Sequence, residues 1–386
     1  MRNKLIHFFY AKALKPIYFL SDPEEVHDAM TRIGEFLGKY ALTRKITSLL
    51  FSFSHPMLEQ NILGIHFPNP IGLAAGFDKD ALLTDIIPSV GFGFAEVGSI
   101  TGEPCEGNPK PRLWRLKKSR ALVVYYGLKN EGCEKIASRL RSKNFKIPIG
   151  TSIAKTNSPS TIETEAGIND YLKAFRQLID IGHYFTINIS CPNAFGGEPF
   201  TEPDRLNRLL SIIDSVSAKK PIFLKISPDL NEEQVNAILR VCENHRVHGF
   251  ICSNLTKNRN SSKIRDQIIP EKGGISGKVT EELSNAQIRF IYRKTGNKYI
   301  IIGCGGIFSA TDAYTKIKAG ASLLQLITGM IFEGPQLISE INRGLAQLLK
   351  KDGFQNIREA RGNKSRTFLR GIRPAQKELF NIHSSP

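Results

Sequence analysis

The segment Asn188-Ile-Ser-Cys-Pro-Asn193 places two carboxamides and a thiol on one short stretch of chain. A carboxamide presents a matched donor and acceptor to a planar imide or amide ligand. A thiol held between two of them can act as base or nucleophile once it has lost its proton. Elsewhere in a sequence such a cysteine would read as an inert buried one. Lys79 and Lys225 each follow or lie within an apolar run, Lys225 inside Ile-Phe-Leu-Lys-Ile. A lysine so placed needs an anionic partner or gives up its proton; Lys79 taken alone also reads as a surface lysine. Gly305-Gly306 and Thr328-Gly329 offer backbone N–H groups without shielding side chains, one hydroxyl, and a helix start near Phe332. That combination suits a phosphate. The alternative is that these glycines only turn the chain, and the phosphate reading rests on both loops carrying the feature together.

These groups need elements to hold them. Eight short β-rich apolar runs alternate with helical stretches: 70–76, 94–100, 147–154, 184–190, 221–227, 249–254, 299–305 and 321–328. Continuous apolar strands alternating with helices indicate a parallel sheet covered on its outside. Eight in one domain predict an α/β fold, a (β/α)8 TIM barrel, whose active site lies at the C-terminal strand ends. Seven runs end in polar, small or reactive residues, such as AAGFDKD, NISCPNA and GCGGI. An open doubly wound sheet would place a glycine fingerprint after the first strand, and AAGFDKD is not one.

Residues 1–55 predict an N-terminal helical extension. Asp22, Pro23 and Glu25 read as an N-cap, a first-turn proline and a capping-box acid. Val26, Met30, Ile33 and Leu37 form one apolar stripe, and Leu42, Ile46, Leu49, Leu50 and Phe53 another, with Gly38 between. The segment is either a cap packed on the barrel or, with Arg2, Lys4, Lys12 and Lys15, an amphipathic membrane-surface element. The barrel is expected over 56–350 and a basic C-terminal tail over 351–386.

Lys and Arg outnumber Asp and Glu by 53 to 36, a net charge of +17. Such a surface suits acidic small molecules or an anionic membrane; without an RNA-binding or helix-turn-helix signature, nucleic acid is not expected as a partner. No apolar stretch reaches the roughly 18 residues of a transmembrane helix. The six cysteines include no C-x-x-C pair and no histidine lies at zinc-ligand spacing, so no metal is expected. Cys242, Cys252 and Cys304 read as buried thiols, consistent with a reducing cytosol.

NPIGLAAGFDKD, GFGFAEVGSITGEPCEGNPKPRLWRL, INISCPN, KISPDL, GGISGK, IIGCGGIFSATDAYTKIKAGAS and TGMIFEGPQL together resemble the dihydroorotate dehydrogenase family, from about residue 20 to about 360. The N-terminal helices resemble those of its membrane-associated, quinone-using class. The resemblance implies oxidation of dihydroorotate to orotate in pyrimidine biosynthesis, with FMN across the barrel mouth and a quinone as acceptor. It implies a peripheral protein on the cytoplasmic face of the cell membrane, or otherwise a cytoplasmic one. Ala75, Gly76, Lys79, Ser99, Asn188, Lys225, Ser253, Gly277, Gly305, Gly306, Thr328 and Gly329 match flavin-binding positions. Lys79, Gly127, Leu128, Asn188, Asn193 and Asn254 match substrate-binding positions, and Cys191 matches the catalytic base. The sequence departs from the pattern in three places: Cys191 where the quinone-using class has Ser, Val124 where a substrate-binding Asn is usual, and Ser152 where a flavin-contacting Asn is usual. The departures keep open a related FMN barrel oxidoreductase with another substrate. A silent flavin-binding or membrane-scaffold protein is a third reading, opposed by Lys79, Asn188, Cys191 and Lys225.

Overall fold

The structure is a computed structural model that describes residues 2–363. The end of the basic tail, with Arg370 and Arg373, lies outside the described residues. Eight parallel strands close into one barrel: β1 (Ile71–Leu73), β2 (Phe94–Ile100), β3 (Ile149–Ile153), β4 (Tyr184–Asn188), β5 (Ile222–Ile226), β6 (Gly249–Cys252), β7 (Ile300–Cys304) and β8 (Leu323–Leu326). They pair in chain order, and β8 closes on β1. Each lies within one of the eight runs read from the sequence. The strands are buried along almost their whole length, as expected of a sheet covered by helices outside and by its own side chains inside.

The barrel floor is apolar. Phe94, Tyr184, Phe223, Ile251, Ile302 and Leu323 pack with Ile62 and Phe67 of the antiparallel hairpin Gln60–Ile62/Ile65–Phe67. Gly72 and Gly150 make room for two of these rings. A methyl at Gly72 would lie 2.4 Å from the Phe94 ring, and one at Gly150 2.3 Å from that of Tyr184. Further toward the mouth, β2 carries Glu96, whose Oε1 accepts from Thr186 Oγ1 at 2.7 Å. Burial pushes the Glu96 carboxyl above its ordinary range.

A second sheet was not anticipated. Strands Leu113–Leu116, Ala121–Val124 and Gly274–Gly277 pair antiparallel outside the barrel. They come from two loops far apart in sequence, each too short to stand out by period. The tail boundary expected at 350 falls inside helix Leu337–Asp352, and Phe354, Ile357 and Ala360 are buried, so packing continues to Ala360.

The N-terminal segment is helical over Arg2–Phe9, Tyr10–Leu14 and Lys15–Tyr18, then over α1 (Pro23–Lys39) and α2 (Ala41–Phe51). The break falls at Tyr40, and Gly38 belongs to α1, packed on Asp85 and Ile86. Asp22 caps α1 by accepting from the N–H groups of Glu24 and Glu25. One buried ion pair pins α1 to the barrel mouth. The Arg112 guanidinium donates to both carboxylate oxygens of Glu24 at 2.7–3.1 Å. Its remaining N–H groups reach Glu106 O and Asn108 O, each at 2.9 Å.

Losing one partner of a buried pair strands the other charge, which costs about 3–5 kcal/mol. Glu24→Gln should therefore lower the urea midpoint clearly, whereas Glu25→Gln, at an exposed position, should leave it nearly unchanged.

Candidate active site

One cavity of about 1280 Å³, its open mouth included, spans the C-terminal strand ends. It is walled by the loops after β1, β4, β6, β7 and β8, by the accessory sheet and by His27 of α1. Ala75, Gly76, Lys79, Ser99, Gly127, Leu128, Asn188, Cys191, Asn193, Lys225, Ser253, Asn254, Gly277, Gly305, Gly306, Thr328 and Gly329 all line it. Ser152 does not. It is fully buried behind Ser99, with the two hydroxyl oxygens 2.8 Å apart.

At one end the backbone is bare. Gly305 and Gly306 have φ of +113° and +74°, a region that disfavours side chains. A methyl at Gly305 would meet Thr280 Oγ1 at 2.6 Å. Ser276 Oγ and Thr328 Oγ1 are 2.8 Å apart, adding hydroxyls from the accessory sheet and the loop after β8. The helix expected near Phe332 already opens at Thr328. Lys225 lines the cavity at 4% exposure and makes no ion pair among the described residues.

At the other end the carboxamides converge. Asn188, paired in register with Lys225, donates from Nδ2 to Ser99 Oγ at 2.9 Å and accepts at Oδ1 from Ser190. Asn254 donates to Ser190 O at 2.6 Å, and Asn193 donates to Val124 O at 2.8 Å. Asn108 Nδ2 holds the Asn193 carbonyl at 3.0 Å. Val124 supplies only an apolar wall and its carbonyl. Cys191 is half-buried among these groups, and burial pushes its thiol up to about 11. That is well above the free-thiol value of about 8.5. Cys242 and Cys252 are buried as expected, whereas Cys304 lines the cavity.

Lys79 stands where the two ends meet α1. Its ammonium lies 4.1 Å from the Tyr126 ring centroid and 3.4 Å from His27 Nε2. Burial lowers it to about 8, while Asp28 and Asp80 oppose the shift. The loop carrying Lys79 is folded by Asp78, whose carboxylate accepts from the Leu82 and Leu83 N–H groups. Sequence reading missed His27, Ser276, Thr280 and Leu122 as cavity residues. Ser276 sits inside the motif GGISGK and was readable beside Gly277, whereas His27, Thr280 and Leu122 lie in no such motif and reach the site through pairing or packing that only the fold creates.

A closed parallel barrel with a large cavity at its C-terminal strand ends, lined by lysines, carboxamides, glycine backbone and apolar side chains, is the architecture of a barrel enzyme. The chain belongs to the dihydroorotate dehydrogenase family: the family model described as Dihydroorotate dehydrogenase matches residues 57–349. It is 40% identical to a dihydroorotate dehydrogenase (quinone) of Synechococcus sp. (strain JA-2-3B'a(2-13)), over 88% of this chain and 93% of that relative. It is 37% identical to one of Trichodesmium erythraeum (strain IMS101), over 92% and 98%. Among solved structures it is similar to the ferulenol complex of an Eimeria tenella DHODH, with a TM-score of 0.79 at 29% identity, covering 88% of this chain and 95% of that one.

The Tyr126 hydroxyl is buried in the cavity wall without a partner among the described residues. An orphaned polar group costs about 1–3 kcal/mol. Tyr126→Phe should therefore leave the ligand-free protein as stable or about 1 kcal/mol more stable in urea denaturation, while weakening whatever ligand accepts from that hydroxyl.

Proposed function

We propose that this chain oxidises (S)-dihydroorotate to orotate in pyrimidine biosynthesis and passes the electrons through FMN to a quinone. The observation that carries the reading is that one large cavity gathers bare glycine loops, carboxamides, a thiol and His27 of α1. FMN fits the residues present. Gly277, Gly305, Gly306, Thr328 and Gly329 would hold its phosphate; the four glycines press so closely on Arg120 O, Thr280, Glu281 and Ile307 O that none has room for a side chain, which leaves their N–H groups bare. Ala75, Gly76, Ser99, Asn188 and Ser253 would hold its ring system. Lys225, a buried cation without an ion pair among the described residues, would favour negative charge on the flavin. Ser152 would act only through Ser99.

Bound FMN supplies the two-electron acceptor. Asn188, Asn193, Asn254 and Lys79, with backbone at Gly127 and Leu128, would bind and orient the pyrimidine ring and its carboxylate. The Cys191 thiolate removes a proton from one ring carbon and becomes a thiol; the adjacent carbon loses hydrogen with its electron pair. The ring carbons are thereby joined by a double bond. Val124 leaves one polar edge of the substrate without a side-chain amide, and the unpartnered Tyr126 hydroxyl in the same cavity wall is a candidate to serve it.

The N-terminal segment supports a quinone route from a membrane surface. Leu5, Phe8, Phe9, Leu20, Leu42 and Leu49 are all more than half exposed. Large apolar side chains left in water in such number on one segment support an interaction face there. No helix among the described residues is long and apolar enough to cross a membrane, so the reading is peripheral attachment. His27 carries that same segment into the cavity wall.

The purified protein should be yellow and release FMN on heating, identified by mass; a colourless protein that FMN cannot reconstitute would refute the reading. With the thiol near 11, the thiolate fraction rises about tenfold per pH unit below that value. Dihydroorotate-driven flavin reduction in stopped flow should therefore climb without a plateau between about pH 7 and 9. Cys191→Ala should bind flavin normally yet reduce it at least about 100-fold more slowly. Replacing Phe8, Phe9 and Leu42 by Ser should abolish binding to anionic vesicles and slow turnover with a long-chain quinone, leaving turnover with a soluble dye intact.

A further inference from the structure

Cys191 has a second neighbourhood, facing away from the main cavity. A small separate cavity behind it is lined by Cys191, Lys155, Tyr171, Asn188 and Phe200 among others. Lys155 is 3% exposed. Its ammonium donates to Phe195 O at 2.8 Å and lies 3.4 Å from Thr161 Oγ1. Both partners are neutral, and Lys155 forms no ion pair among the described residues. The nearby carboxylate of Asp170 is already engaged by the Gly102 N–H, the Thr156 N–H and the Thr156 hydroxyl. A buried cation with only neutral acceptors is costly unless an anion joins it.

We propose that Lys155 is the counter-cation of the Cys191 thiolate and, through Phe195 O, the anchor of the loop that carries it. The inference rests on Cys191 being the base. When the S–H bond breaks, the proton leaves to solvent and the electron pair stays on sulfur beside the ammonium, so the cavity becomes neutral overall. The charges facing the pair are few. Burial raises the thiol and lowers the ammonium; Lys155 and the Asn193 N–H favour the thiolate, whereas Glu198 and Cys105 oppose it. Asp170 supports the ammonium from the helix Thr164–Gln177, and Tyr171 beside it holds the end of β4 by donating to Asn188 O at 2.8 Å. Lys155 does not line the main cavity. It is a positioning residue that acts through the sulfur.

The two roles separate by sign. Lys155→Gln retains a donor for Phe195 O and removes the charge. The test is the rate of Cys191 alkylation by iodoacetamide, a neutral reagent, in the flavin-loaded full chain between about pH 7 and 9. The rate is followed on the Cys191 peptide by mass spectrometry. Removing an opposite charge at close range raises a thiol by about one unit or more, so alkylation should slow about tenfold or more at every pH. A residue that only anchors the loop would leave the rate unchanged or increase it, because a loosened loop exposes the sulfur; that result overturns the proposal. Lys155→Met is run beside it, with thermal melting of each, so one poorly folded variant does not decide the matter. The readout is independent of turnover. If Cys191→Ala reduces flavin normally, the base assignment fails, while the alkylation rate still reports on Lys155.

Discussion

The position of the cavity and of the polar groups that line it is governed by the closure of the parallel sheet. A closed barrel has no edge, and its strands are covered outside by helices and inside by one another's side chains. Chemistry can then emerge only where the strands end. The apolar floor, sealed by the hairpin at Ile62 and Phe67, closes one end. The other end must accommodate lysines, carboxamides and glycine backbone together, and the single large cavity there follows from that restriction.

In and behind that cavity the recurring theme is positive charge taken out of water without a direct ion pair among the described residues. Lys225 and Lys155 are almost wholly buried and unpaired with acids among the described residues, and Lys79 faces an aromatic ring and a histidine. Folding tolerates such groups because bound anions or a transient thiolate can complete them. The contrast is Arg112, whose charge is fully met by Glu24 and two carbonyls. That cation holds the architecture together, and the incompletely matched ones are left for ligands.

Much of this was legible in the chain. All eight barrel strands fall within the apolar runs, because a strand buried on both faces leaves a continuous signal that a surface strand does not. Seventeen site positions gather in one cavity, since their motifs sit directly at strand ends. What escaped reading came from long-range pairing. The strand Gly274–Gly277 joins Ala121–Val124 across some 150 residues of chain, and neither segment alone carries a β-period. His27 lies on an ordinary amphipathic helix, and only docking through Glu24 brings it to the cavity. Nor does sequence show that desolvation holds the Cys191 thiol above its free value, against the pull of the Asn193 N–H and Lys155.

The glycines of the floor carry an implication for how such sequences drift. The Phe94 ring occupies the space where Gly72 lacks a side chain, and Tyr184 does the same over Gly150, on neighbouring strands. Neither member of a couple can change alone, because enlarging the glycine collides with the ring and shrinking the ring opens a void. Substitutions at 72 and 94, and at 150 and 184, should therefore appear in diverging lineages as linked exchanges of small for large, a covariation imposed by packing beneath the site and independent of what the enzyme binds above it.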